Sequence, residues 1–415
     1  MQVKWRIVAS LLLSKLVDIL LSAKTTLPTF LTNLGAPSWM LGLLVPIRES
    51  GALLPQGLFS QYLSSRAKRH RLWLGSMMMQ NLFILLMIVG PMLGQQSEGA
   101  LSNTTILGAI VLACLAGLSI SRALTSLTMK DIQGQHIDKG KRGDLVGIAS
   151  TLAGLLSLGF AFTSLFSQKL NNDIILSIGI ISILAMLFAT AVMVGVKTTV
   201  EVDTSEQNNK QEAGSKPIAL LKSVCEAFKG SLGRFILVRS CFVHTALLAP
   251  FFVVWCTSLN LQSQWLSLSL FIVAQASAAI LSSYAWGRLS DSNAKLTMQL
   301  GASIVLTVLV TVVLLTYFEQ AANISPHWYV LLYFCLSLGH EGARAGRKVY
   351  ALDIKQGSER TNFIGQANSA IGVVLLALGL FYSALSVAGT FWVFAVMALG
   401  LVAGLFASLQ LKKEK

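Results

Sequence analysis

Residues 122–132 read RALTSLTMKDI, and residues 344–354 read RAGRKVYALDI. Each begins Arg-Ala and ends Asp-Ile at the same distance. Downstream, KRGDLVG (Lys141 to Gly147) is matched by ERTNFIG (Glu359 to Gly365), and a further glycine follows seven residues later in each half, Gly154 and Gly372. Four shared elements in one order mark an internal duplication. A chain built from two copies of one unit folds as two similar bodies, and the surface between them is the natural place for a site.

What each copy is made of follows from composition. Of 415 residues, 54% are hydrophobic and 12% charged, and the mean hydropathy is +0.67. Soluble domains carry about twice that charge fraction. Long apolar blocks, each near the ~20 residues that a spanning helix needs, predict an all-α polytopic membrane protein; a β-barrel would show short alternating strands instead. Twelve spans are predicted, at 6–31, 39–63, 72–93, 104–126, 144–167, 174–196, 234–257, 264–287, 295–317, 327–346, 362–384 and 389–410. The first, second and tenth are the weakest by hydropathy, because charges interrupt them. The chain thus divides into an N-terminal six-helix half (1–196), a central loop (197–233) and a C-terminal six-helix half (234–415), related by a pseudo-two-fold axis.

The net charge of +14 is not a nucleic-acid footprint, because its distribution is that of a membrane protein. Lys and Arg fall on alternate loops: Arg66, Lys68, Arg69 and Arg71; Lys130, Lys139, Lys141 and Arg142; the central loop; Arg288 and Lys295; Arg347, Lys348, Lys355 and Arg360; and the tail LKKEK. The opposite loops hold Lys169 alone. The positive-inside rule therefore places both termini and the central loop in the cytoplasm, in a plasma membrane of the bacterial inner-membrane type. From Pro217 the central loop carries Ile218, Leu221, Cys225, Phe228 and Leu232 at helical spacing, as expected of an amphipathic helix on the inner membrane face. The five cysteines include no C-x-x-C pair and read as small apolar residues. Lys15, Asp18 and Lys24 interrupt the first apolar segment, which is unlike a cleavable signal.

Six plus six spans, the loop GRLSDSNAK (Gly287 to Lys295) and the Asp131…Arg142-Gly143 element after span four together resemble the major facilitator superfamily. The equivalent first-half loop departs from its pattern, with Gln61 and Ser65 in place of Gly and Asp. Span five, with Gly147, Gly154 and Gly159, lacks the Gly-Pro element of the family's drug-proton antiporters. The resemblance implies a central cavity lined by spans one, four, seven and ten. It implies an interface between the halves formed by spans two, five, eight and eleven. It also implies a cytoplasmic gate built from Arg122, Asp131, Arg142, Gly143, Gly287, Arg288 and Asp291, with Asp353 and Arg360 as second-half counterparts.

The charges within the spans are the candidate site. A charge at mid-bilayer costs between ~3 and ~10 kcal/mol, so it persists only when paired or wetted. Lys15 and Asp18 lie three apart on span one, on one face and able to pair. Arg48 and Glu49 are adjacent on span two, about 100° apart on a helix, and so need different partners. His244 lies mid-way along span seven; His340, Glu341 and Arg344 lie on span ten, with Glu341 and Arg344 able to pair. Arg122 and Arg344, matched by the duplication, are expected to share a structural role, bonding to the Asp131 and Asp353 loops. Gly147 and Gly154 are expected to serve close helix packing.

These features predict a secondary transporter that moves a small solute by alternating access, coupled to protons, with Glu49 or Asp18 taking the proton. Interior cations outnumber anions, which favours an anionic or zwitterionic solute. An efflux antiporter for drugs or metabolites is the alternative, and a non-transporting membrane enzyme or sensor the more remote one. No G-x-x-x-x-G-K-[ST] motif is present. HEGAR at His340 begins like a zinc motif but has Arg344 where a second His is needed, so no metal, no cofactor and no enzymatic activity are expected. The expected partners are a small-molecule substrate, protons and the lipid bilayer, and the chain is expected to act as a monomer.

Overall fold

The computed structural model describes residues 2–56, 59, 69–96, 103–137, 142–166, 171–196, 230–259, 267–353 and 357–411. The basic loop at 60–68, the central loop with its expected amphipathic helix up to residue 229, Lys139, Lys141, Lys355 and the last four residues lie outside this set. Backbone at Arg142, Gly143, Asp353 and Arg360 is helical, but their side chains are likewise outside it.

The described residues form α-helices throughout, with short 3-10 turns. Span one is broken into α1 (Gln2–Leu20) and α2 (Thr26–Asn33), and span two is α3 (Leu41–Leu53). Spans three to six are α4 (Arg69–Gln96), α5 (Thr104–His136), α6 (Arg142–Phe166) and α7 (Asn171–Met193). Span seven is α8 (Gly230–Phe242) and α9 (His244–Ser258). Spans eight to twelve are α10 (Leu268–Ser292), α11 (Ala294–Tyr317), α12 (Pro326–Asp353), α13 (Gly357–Val387) and α14 (Thr390–Leu409). Nine of the described helical segments are long and apolar enough to cross a membrane. The three spans that fall short are one, two and ten, the same three that interior charge weakens in the sequence.

Each broken span carries a proline beyond its break. Proline lacks an N–H and its ring crowds the carbonyl four residues back. Pro28 sits in the first turn of α2 and Pro250 inside α9, so a continuous helix through either region is disfavoured. The interval from Pro28 to Pro250 equals that from Arg122 to Arg344, and the break thus belongs to the repeated unit. At the first break the carbonyl of Leu20 accepts from Thr26 Oγ1 at 2.5 Å, and that of Leu21 accepts from Arg48. A span broken in mid-membrane needs such substitutes for its lost ladder.

The packing has the expected two-fold pattern. In the first half span three packs on four, one on five and six, two on four, and three on six. The second half repeats every one of these pairings six spans later. The halves meet where span two packs on eleven and span five on eight. Along the first seam the backbones approach so closely that a Cβ on Gly42 would lie 2.6 Å from Ser383 Oγ. Lower on the same seam, Ser50 Oγ donates to the Gly372 carbonyl at 2.8 Å. The second seam is looser: Gly154 meets Ile280, but among the described residues nothing lies within 4 Å of a Cβ on Gly147, so no close packing of the expected kind is seen there.

Span four extends to His136, ten residues past its predicted end. At 33 residues it measures about 50 Å and overruns the ~30 Å hydrocarbon core. Spans eight and nine join through Asn293 alone, whose side chain caps α11 by accepting from Leu296 N at 2.8 Å. This turn holds the Gly287–Lys295 motif. Its Arg288 and Asp291 are exposed, and Lys295 Nζ donates to the carbonyls of Leu409 and Leu411 at 3.0 and 2.8 Å.

Candidate functional site

The interior charges converge between the halves. In the first half Asp18 is the hub. Arg122, from span four, holds both of its carboxylate oxygens. Arg48, from span two, reaches it at 3.3 Å and also donates to the Asp18 and Leu21 carbonyls that the break leaves free. Three spans are thereby tied through one carboxylate. This differs from the expected pairs: Asp18 takes two arginines rather than Lys15, and Arg122 bonds across to span one rather than to the Asp131 loop. Sequence spacing favours i,i+3 partners, but both guanidiniums bring a planar fork that suits a carboxylate better than an ammonium does.

In the second half the geometry at Arg344, the counterpart of Arg122, is simpler.

 Arg344 donates to Glu341 on its own helix, three residues back, while the side chain of Asp353, its other expected partner, lies outside the described residues. Glu49 is exposed to the space between the halves, within electrostatic range of Arg48 beside it and of Arg239 and Arg347 across the cavity. Arg239 is held by Asn368 at 3.0 Å. Lys15 faces Arg122 on its own side and Glu341 and Arg344 on the other.

A small pocket between the halves is lined by Lys24, Thr245, Ala249, Gln275, Leu336, Ser337, His340 and Glu341. Lys24 comes from the break in span one, Gln275 from span eight and the rest from spans seven and ten, so both halves contribute. Ser22 and Thr25 donate to Gln275 Oε1 at 3.4 and 3.5 Å, two long bonds that cross from one half to the other. Thr245 Oγ1 donates its one proton to the Phe242 carbonyl at 2.8 Å. It therefore accepts from His340 Nδ1 at 3.0 Å, which leaves Nε2 as the acceptor of the neutral ring.

Exposure differs between the two ends. On the side of the termini Glu49, Arg344 and Lys348 are exposed, and Arg122 is 37% exposed. On the other side Thr25 to Leu31 are buried, as are Leu247 to Val253, and α2 packs on α9. Among the described residues the cavity is open towards the termini and sealed opposite them.

His244 lies elsewhere. Its Nδ1 is 2.6 Å from the Cys241 carbonyl, its ring stands edge-on to Tyr382 at 5.6 Å, and Gly400 of span twelve abuts it. It fills the kink of span seven and does not line the cavity. Lys24, Gln275 and Thr245 were absent from the residues singled out in the sequence. Lys24 was visible as a charge within an apolar segment, but no pattern in the sequence points to the other two. Among the described residues no group of His, Cys, Asp and Glu is arranged to hold a metal.

In sequence, no family model and no curated protein matches the chain. In structure it is similar to the nucleoside transporter NupG, at a TM-score of 0.69 and 12% identity over 99% of both chains. It is similar to a D-xylose-proton symporter at 0.68 and 13% identity, over 97% of this chain and 96% of the other. It is also similar to a POT family transporter in complex with a thioalcohol-conjugated peptide at 0.68 and 9% identity, over 98% of this chain and 94% of that one. Twelve spans in two six-helix halves, each pairing repeated six spans on, make this chain a multi-pass membrane protein with the major facilitator fold.

Proposed function

We propose that the protein is a secondary active transporter that moves a small solute by alternating access, coupled to protons. The observation that carries this reading is a row of charges, Asp18, Arg48, Glu49, Arg122, Glu341 and Arg344, bordering a cavity that is open at one end and sealed at the other. Charges that only held the bundle together would be expected in dry, fully paired contacts. Glu49 and Lys24 instead have no ion-pair partner within 4 Å among the described residues. Transport requires the seal between α2 and α9 to part while the open end closes, with the two seams between the halves as pivots. Both walls come from one chain, so a monomer suffices. The alternation of basic loops supports an open end facing the cytoplasm, with both termini there and the protein in a plasma membrane of the bacterial inner-membrane type.

Asp18 is committed to two arginines, whereas Glu49 is exposed and has no ion-pair partner among the described residues, which makes Glu49 the better of the two carboxylates for carrying a proton. The experiment is reconstitution into liposomes under an imposed pH gradient, with solute-dependent proton movement as the readout. Wild-type protein moves protons when its solute is added. Glu49→Gln retains solute binding and loses that movement. Unchanged coupled movement in Glu49→Gln removes the assignment.

A further inference from the structure

We infer that the sealed end of the cavity binds the carboxylate group of a small organic acid, anchored on Lys24, and that this acid carries its own hydrogen-bond donor; the inference rests on the transport reading of the same cavity. Lys24 brings an ammonium to this pocket, with no carboxylate in ion-pair range among the described residues. Its backbone N–H donates to Ser22 Oγ at 3.1 Å, which fixes the turn that presents it. Gln275 Oε1 is taken by Ser22 and Thr25, so its amide N–H groups, without a partner among the described residues, are left to donate. Helix α2 starts at Thr26, two residues beyond Lys24, and adds the positive end of its dipole at the same place. An ammonium, an amide donor and a helix N-terminus from a broken span are together suited to an anion.

The opposite wall asks for the reverse. His340 Nε2 is an acceptor once Nδ1 is committed to Thr245, and Glu341 lies beside it with its charge shared by Arg344. A plain anion would leave that wall unmatched. A solute with a hydroxyl or amino group near its carboxylate satisfies both walls at once. The remaining charges agree on sign: among the described groups that act on one another there, lysines and arginines outnumber Asp18, Glu49 and Glu341. A net positive chamber favours entry of an anion.

The test is thermal unfolding of the purified full-length protein in detergent, titrated with L-lactate, D-gluconate and L-serine and with the carboxamide of each. At least one acid is expected to raise Tm with concentration while its carboxamide does not. Propionate, which has the carboxylate but no donor, is expected to be weaker than lactate. Lys24→Met is expected to weaken the response about tenfold or more, as loss of a charged hydrogen bond requires, and Lys24→Arg to restore part of it. Gel filtration of Lys24→Met before titration separates lost binding from lost folding, and if that variant fails to fold, Lys24→Gln takes its place. Equal response to acid and carboxamide overturns the proposal, as does an undiminished response in the Lys24 variant or no response to any acid. Flux measured in liposomes with the same compounds keeps the two readings apart. Lys24-dependent binding without flux sinks the transport reading and leaves the site. Flux of a neutral solute with no binding of acids sinks the site and leaves transport.

Discussion

Asp18 carries more structure than any other charged residue in the chain. One carboxylate holds guanidiniums from spans two and four, and its own span is broken just beyond it. Removing that charge leaves two arginines facing each other across a partly wetted cavity. Asp18→Asn is therefore expected to destabilise the protein by about 1–3 kcal/mol, less than the ~3–5 kcal/mol for a dry buried pair because solvent screens the site. A fall in Tm that high salt reduces is the check. At Glu49 the same change removes an ion-pair partner from neither arginine, and Glu49→Gln is expected to leave stability within about 1 kcal/mol of wild type. A second residue-scale prediction concerns His244. A methyl on Gly400 would lie 2.6 Å from its ring, so Gly400→Ala is expected to cost roughly 1–3 kcal/mol by overpacking, measured as denaturant or thermal stability. His244→Phe is expected to leave transport of the solute in place, because the ring fills a kink and not the cavity.

At the scale of the element, two glycines predict opposite outcomes. Spans nine and ten cross so closely that a Cβ on Gly301 would lie 2.3 Å from Ala343 N. Backbone cannot yield as a side-chain tip can, and Gly301→Ala is expected to lower Tm sharply. Gly147 has nothing within 4 Å of that position among the described residues, and Gly147→Ala is expected to raise stability by roughly 0.5–1 kcal/mol through the lost freedom of the unfolded chain. The contrast also shows what a sequence reveals about its elements. Both glycines sit in apolar helical segments, and only the crossing of a neighbour distinguishes them. The spans themselves were legible because hydropathy is a local property with a length threshold. The duplication was legible because Arg-Ala and Asp-Ile recur in order. The break in span one was missed although Pro28 was in plain view, because the break lies within one apolar segment and hydropathy does not register it. The partners of Asp18 were missed because Arg48 and Arg122 lie far along the chain, and local spacing favours the nearer Lys15.

For the molecule as a whole, the two ends of the cavity should differ towards a water-soluble thiol reagent. In a background without native cysteines, Glu49→Cys and Arg344→Cys are expected to react from the side of the termini. Thr29→Cys, 3% exposed, is expected to resist from both sides at rest and to become reactive from the opposite side during turnover. A cavity closed to both sides would leave all three unmodified and would reduce the charges to braces. The whole-molecule frame was also the part most legible from composition, whereas the pocket at Lys24 was not. Gln275 and Thr245 are ordinary polar residues, and only the meeting of the halves makes them neighbours of Lys24.

The clamp that Lys295 places on the carbonyls of Leu409 and Leu411 has a practical corollary for handling the protein. One ammonium rivets the last helix to its neighbour, so an affinity handle appended after Lys415 leaves the rivet in place. Proteolytic shaving back to Ser408 would remove it and let the final turn of the chain fray.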